Sequence, residues 1–218
     1  MTDRSVSSTV EYTVKTKSEE KRLALLKAAL AVVTEKGYFA TKVDDVARRA
    51  GVAKGTVYLY FKDKPAIYIG LVDWLLEQAL AVTAEVIAKS TTPRRKLDEL
   101  FTTWSSGVMS NPGVLALLSM ENMHQDNTLM KRFKKYVLPH IIELQDAVAG
   151  VMKQGIEQGE FRPADPRAAA MMYLGAFRAE LLAAANRPRT PRAVESVKEL
   201  FLFGLLADGK GRTKRGDE

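Results

Sequence analysis

The sequence predicts an all-α protein of about nine helices, with a small three-helix head at the N-terminal end of a larger helical body. Three observations lead there. Apolar residues recur at helical spacing along most of the chain, caps and prolines mark helix starts, and no segment alternates convincingly between apolar and polar residues as a strand does. At 218 residues the chain has room for one large domain or two small ones, and 46% apolar content excludes disorder throughout.

The elements follow in order. Residues 1–17 are rich in Ser, Thr and Val without helical periodicity and read as a flexible arm. Ser18 can cap a first helix, Glu19 and Glu20 suit its positive end, and Leu23, Leu26, Leu30 and Val33 form a stripe that runs up to Gly37. Val43, Val46, Ala47 and Ala50 give a short second helix, with Thr41 and Asp44 spaced as a capping box. Gly51 suits a left-handed turn into a third helix over about 53–61, where Val57 and Phe61 face inward. Asp63 caps a long helix from about 64 to 89, followed by helices from Pro93 to about 109 and from Pro112 to about 123. A segment from 126 or 127 to 158 should kink at Pro139, because proline removes a helical hydrogen bond and crowds the preceding turn. The last pair spans about 166–185 and 191–207, each with a cap followed directly by proline. The expected division is an arm at 1–17, a three-helix head at 18–66, a larger helical body at 67–208 and a disordered Gly- and Lys/Arg-rich tail at 209–218.

Two short helices joined by a glycine turn are a helix-turn-helix, and the second would lie in a DNA major groove. Its outer side carries Lys54, Gly55, Thr56, Tyr58 and Tyr60, a basic, hydroxylated and aromatic set. Lys54 and Lys64 are placed to neutralise phosphates, Tyr58 and Tyr60 to donate phenolic hydrogen bonds to the backbone, and Gly55 to allow close approach. Thr56 is the expected reader of a base edge, and Lys42 and Lys62 complete the DNA-binding set. Charge agrees with this: residues 1–66 hold 13 basic against 8 acidic side chains, and the remainder 20 against 18, within a net charge of +7.

The run V-A-K-G-T-V-Y-L-Y-F-K-D-K at residues 52–64 resembles the recognition helix of the TetR family of bacterial transcriptional repressors. The resemblance covers residues 19 to about 70. Two positions depart from it, since Ala53 stands where a capping, phosphate-touching serine is common and Pro65 where an acidic residue is usual. The family pattern implies an inducer pocket in the body, for which Trp104, Met120, Met123, His124, Phe133, Tyr136, Tyr173, Phe177 and Arg178 are the candidates. Taken singly, each such aromatic or methionine is more often plain core. The family also forms a four-helix dimer interface from its last two helices. Here that places Met172, Ala176, Ala179, Ala183, Val197, Phe201, Gly204 and Leu205 at a homodimer contact.

The expected function is a repressor that binds a palindromic operator as a dimer and responds to a small apolar or aromatic effector. The alternative is a nucleoid or cell-division DNA-binding factor without an inducer, and a helical enzyme stands third. His124 and His140 lie sixteen positions apart with no accompanying carboxylate pattern, so no metal site is expected, and no catalytic motif or cofactor signature is present. The absence of cysteine and of a long uninterrupted apolar run, together with an N-terminus lacking a signal-like apolar core, points to a soluble cytoplasmic protein.

Overall fold

In the computed structural model, residues 16–109, 127–186 and 191–205 are described, and every regular element among them is helical. These are α1 (Lys17–Ala40), α2 (Val43–Arg49), α3 (Lys54–Tyr60), α4 (Lys64–Ile87), α5 (Pro93–Met109), α6 (Asn127–Arg132), a π-turn over Phe133–Val137, α7 (Leu138–Glu157), α8 (Pro166–Asn186) and α9 (Pro191–Leu205). The helix expected over 112–123 lies outside the described residues, as does most of the expected arm and all of the expected tail.

The start of α1 is capped by Thr16, not Ser18. The Thr16 hydroxyl accepts from the Glu19 amide at 3.3 Å while the Glu19 carboxylate accepts from the Thr16 amide at 2.7 Å, a complete capping box. The helix is also buried more broadly than one stripe, through Leu25, Ala28, Ala29 and Val32 as well as Leu26, Leu30 and Val33, because α2 and α4 both pack on it. Gly37 breaks its regularity with φ +75°, and one further turn carries Tyr38 and Phe39.

Thr41 likewise closes α1 rather than opening α2. Its hydroxyl donates to the Gly37 carbonyl at 2.7 Å, and the amide at the start of α2, on Lys42, donates to Asp45 at 3.3 Å. Asp44 is thereby free to pair with Lys54. Gly51 takes φ +66°, the left-handed conformation the turn requires. Val46, Ala47, Val57 and Phe61 then converge on Leu26, Ile67 and Leu71 to form the core of the head. A seven-residue helix such as α3 has no stability of its own, so this burial is what holds it.

That core does not stop at residue 66. Leu129 of α6 and Val137 of the π-turn are buried in it, with Phe133 and Ile141 partly buried against it. A second core lies farther from the head, where Leu97, Leu100, Phe101 and Trp104 of α5 meet Val148 and Met152 of α7, Ala170 and Tyr173 of α8, and Leu202 of α9. Pro139 is accommodated by the π-turn directly before it, which places the irregularity one turn ahead of the proline itself. Helix α4 joins the two cores. By length and composition it could cross a bilayer, but here it packs on α1, α5 and α7.

Asp63 ties these parts together. It caps α4 by accepting from the Ala66 amide at 2.8 Å, and it accepts a two-pronged pair of bonds from Arg132 at 2.5 and 2.8 Å. The Arg132 guanidinium holds the Asp63 carboxyl below the usual carboxylate range, partly opposed by desolvation. A depressed carboxyl contributes stability that is complete above its unfolded-state value and is lost as pH falls through its lower folded value. Asp63→Asn should therefore flatten the acid limb of stability below about pH 4. Asp63→Ala, which removes the cap as well, should cost about 1–2 kcal/mol in urea unfolding at neutral pH.

Candidate nucleic-acid interface

The outer face of α3 follows from its burial pattern. With Val57 and Phe61 turned into the head, Gly55 and Leu59 face the opposite way, Lys54 and Tyr58 stand exposed beside them, and Thr56 and Tyr60 lie half-buried on the flank. A Cβ added at Gly55 would meet nothing within 4 Å. A glycine inside a helix costs about 1 kcal/mol relative to alanine, and no internal crowding explains that cost here.

The charged groups differ in how they are held. The Lys54 ammonium lies 3.0 and 3.1 Å from the two Asp44 oxygens, and this hydrogen bond raises its pKa above the ordinary value. Lys42 and Lys62 are exposed, and among the described residues neither has an ion-pair partner. Lys64 is held within the chain. Its ammonium donates to the Phe39 carbonyl at 2.8 Å and sits 4.5 Å from the centre of the Tyr38 ring, and desolvation lowers its pKa. It fastens the end of α1 to the start of α4. Behind the helices, Asp45 accepts from Lys36 at 3.2 Å and lies 3.5 Å from Arg48, while Arg49 and Glu35 pair at 2.6 Å, so much of the basic charge on α2 braces the head. Ala53 makes no side-chain cap to α3, as its departure from serine implied.

Sequence reading passed over Leu59. The signal was available, since position 59 lies one turn after Gly55 and midway between the two inward residues Val57 and Phe61.

In the body, the expected ligand residues divide. Trp104, Tyr173 and Phe177 do come together: Trp104 and Phe101 each meet the rings of Tyr173 and Phe177, edge-on or tilted, with ring centres 5.4–6.0 Å apart. The Tyr173 hydroxyl donates to the Leu97 carbonyl at 2.6 Å, so it is spent on the core, and burial pushes its pKa up. Phe133 packs against the head core instead. Tyr136 is exposed beside Lys135, and Arg178 is exposed on α8, so neither joins the aromatic group. Met120, Met123 and His124 lie outside the described residues. Two further polar atoms, the Trp104 indole nitrogen and the Ser105 hydroxyl, are buried without a hydrogen-bond partner among the described residues. His140 has Nδ1 2.8 Å from Asp73, and no group of three potential metal ligands occurs among the described residues.

At the far end, Met172, Ala179 and Gly204 are exposed and Ala176 is half-buried on α8 and α9. Val197 and Phe201 are drawn partly into the body core, Phe201 against the Tyr173 ring at 5.4 Å. The side chains of Ala183 and Leu205 lie outside the described residues.

A glycine-jointed helix pair with a basic outer face, carried on a helical body, defines a helix-turn-helix DNA-binding regulator. Residues 25–71 match the family model of bacterial regulatory proteins of the tetR family. The fatty acid metabolism regulator protein of Bacillus subtilis is 30% identical over 156 residues, which span 71% of this chain and 78% of that one. The repressor KstR2 of Rhodococcus jostii is 27% identical over 65% of this chain and 68% of its own. Among solved structures, the regulator FadR of Bacillus subtilis in complex with stearoyl-CoA superposes with a TM-score of 0.73 at 26% identity, covering 84% of this chain and 98% of that one. The chain belongs to the TetR family of bacterial transcriptional regulators, a family of DNA-binding proteins and not of enzymes.

The different holds on the two lysines separate their variants. Lys62→Ala should weaken binding to all duplexes and shallow the slope of log affinity against log salt by about one unit, with unfolding unchanged. Lys64→Ala should lower the unfolding midpoint as well, because it releases the Phe39 carbonyl and the Tyr38 ring. Filter binding over a salt series and urea titration of both variants measure the contrast.

Proposed function

We propose that this protein is a repressor that binds a near-palindromic operator as a homodimer through α3 and releases it when a long-chain acyl-CoA occupies the body. The observation that carries the DNA half is the outer face of α3, where a glycine with open space around it sits among exposed Lys54, Tyr58 and Leu59. Two such helices related by a dyad read inverted half-sites. The DNA-binding set is Lys54, Gly55, Thr56, Tyr58 and Tyr60, with Lys42 and Lys62 on phosphates and Lys64 acting mainly as a brace.

The dimer reading rests on exposed apolar groups of the last two helices. Met172 is 67% and Leu200 77% exposed, which is costly for a soluble surface unless something covers it. A Cβ at Gly204 meets nothing within 4 Å among the described residues. Leu200→Arg and Gly204→Arg should each give a folded monomer by light scattering, with operator affinity reduced at least tenfold. Persistence of the dimer in both variants would rule this interface out.

The effector reading rests on the relative that carries stearoyl-CoA and on chemistry in the body core. Aromatic rings of Trp104, Tyr173 and Phe177 supply an apolar wall, and the buried, unpartnered Trp104 and Ser105 groups supply the few polar atoms by which a pocket orients its ligand. Arg132 ends α6, directly before the π-turn, and holds Asp63, so a shift of α6 would reach the start of α4 and the end of α3. Induction requires that the ligand prefer the DNA-free form, since equal affinity for both forms shifts nothing. Stearoyl-CoA at a hundredfold excess over its Kd should stabilise the protein by about 2.7 kcal/mol and release operator, with coenzyme A alone doing neither. A protein that ignores stearoyl-CoA, and whose genomic sites lie away from promoters, would instead be the inducer-free DNA-binding factor.

A further inference from the structure

The centre of the DNA-facing surface of α3 is apolar. Leu59 is 83% exposed, one helical turn beyond Gly55 and on the side opposite Val57 and Phe61, both buried in the head core. Polar groups surround it: Lys54 and Tyr58 are exposed beside it, and Thr56 and Tyr60 stand half-buried on the flank. Open space around Gly55 leaves the approach to Leu59 clear on the side of the preceding turn. A leucine can make no hydrogen bond to a phosphate, a sugar or a base edge. Of the groups on the floor of the major groove, the C5-methyl of thymine is the apolar one.

We propose that Leu59 reads thymine, its isobutyl group packing on the C5-methyl of one thymine in each half-site. This rests on the reading of α3 as the groove helix and adds to it a base and a side chain. Thr56, at the flank of the face, is then left to the edge of the same or a neighbouring pair through its hydroxyl. The exposed leucine, unrewarded in the free chain, becomes buried only when a thymine stands opposite it.

The experiment begins with the tightest duplex that the full-length protein selects from a random pool. Each symmetric pair of thymidines is then replaced by deoxyuridine, which deletes the C5-methyl and leaves every hydrogen-bonding group in place. One pair should weaken wild-type binding roughly fourfold per half-site, about fifteenfold for the pair, the value of one methyl group withdrawn from apolar contact on each side. Leu59→Ala should bind the thymidine duplex more weakly and lose its response to deoxyuridine at that pair alone, with an unchanged unfolding midpoint because Leu59 touches no core. Indifference of the wild type to every deoxyuridine pair overturns the proposal. So does a Leu59→Ala variant that keeps the wild-type pattern. Failure to select any duplex would instead remove the groove-helix reading on which the proposal stands.

Discussion

The bond between Asp63 and Arg132 is the joint on which the molecule turns. One carboxylate, three residues beyond the end of α3, caps the longest helix of the body side and receives both prongs of a guanidinium 69 positions away. Each prong constrains something different. The cap fixes where α4 begins and so the angle at which α3 leaves it, and the pair fixes where α6 lies across that start. Arg132 is only 17% exposed, which puts the pair in surroundings where a charge-assisted, two-pronged contact is worth more than an open surface bridge. The rest of the interface between the two parts, including Leu129, Val137 and Phe133, is apolar packing that this contact registers.

The DNA face is held in readiness by a similar division of labour. Asp45, Glu35 and Lys36 absorb charge behind α2, Asp44 holds Lys54, and the Phe39 carbonyl holds Lys64. Few long cations are left free to wander. A side chain already ordered in the free protein loses less entropy on meeting a partner. The short α3 is rigid for a different reason, because Val57 and Phe61 lock it into a core built mainly by other helices.

Periodicity made the fold legible. Helix identities from 17 to 109 and from 127 to 205 came from apolar spacing, Asp63, Gly51 and the prolines, and the groove helix came from one run of residues between 52 and 64. What spacing could not supply was the partner. Thr16, Ser18, Thr41 and Lys42 all sit near helix ends, and only the backbone geometry decides which oxygen meets which amide. Spacing placed Lys64 beside the groove helix but could not show that its ammonium also meets a carbonyl 25 positions back. The aromatic residues of the body were recognisable as a class and not as a cluster. Trp104, Tyr173 and Phe177 share a core, whereas Phe133 and Tyr136 lie in the π-turn itself, Phe133 packed against the head core and Tyr136 exposed. Leu59 was legible and overlooked, since attention to hydrogen-bonding groups on a groove helix passes over an apolar one.

The sharing of the head core with Leu129 and Val137 bears on how the chain is made. Synthesis delivers residues in order, and the helices that touch DNA emerge first, but the apolar surface they present stays open until residue 137 has left the ribosome. A nascent head is therefore a hydrophobic patch awaiting its lid, and chaperone occupancy should be greatest between the appearance of α4 and that of the π-turn. Completion of the lid comes with Arg132 in the same stretch of chain, so the groove helix acquires its final packing at the same moment as its link to the body.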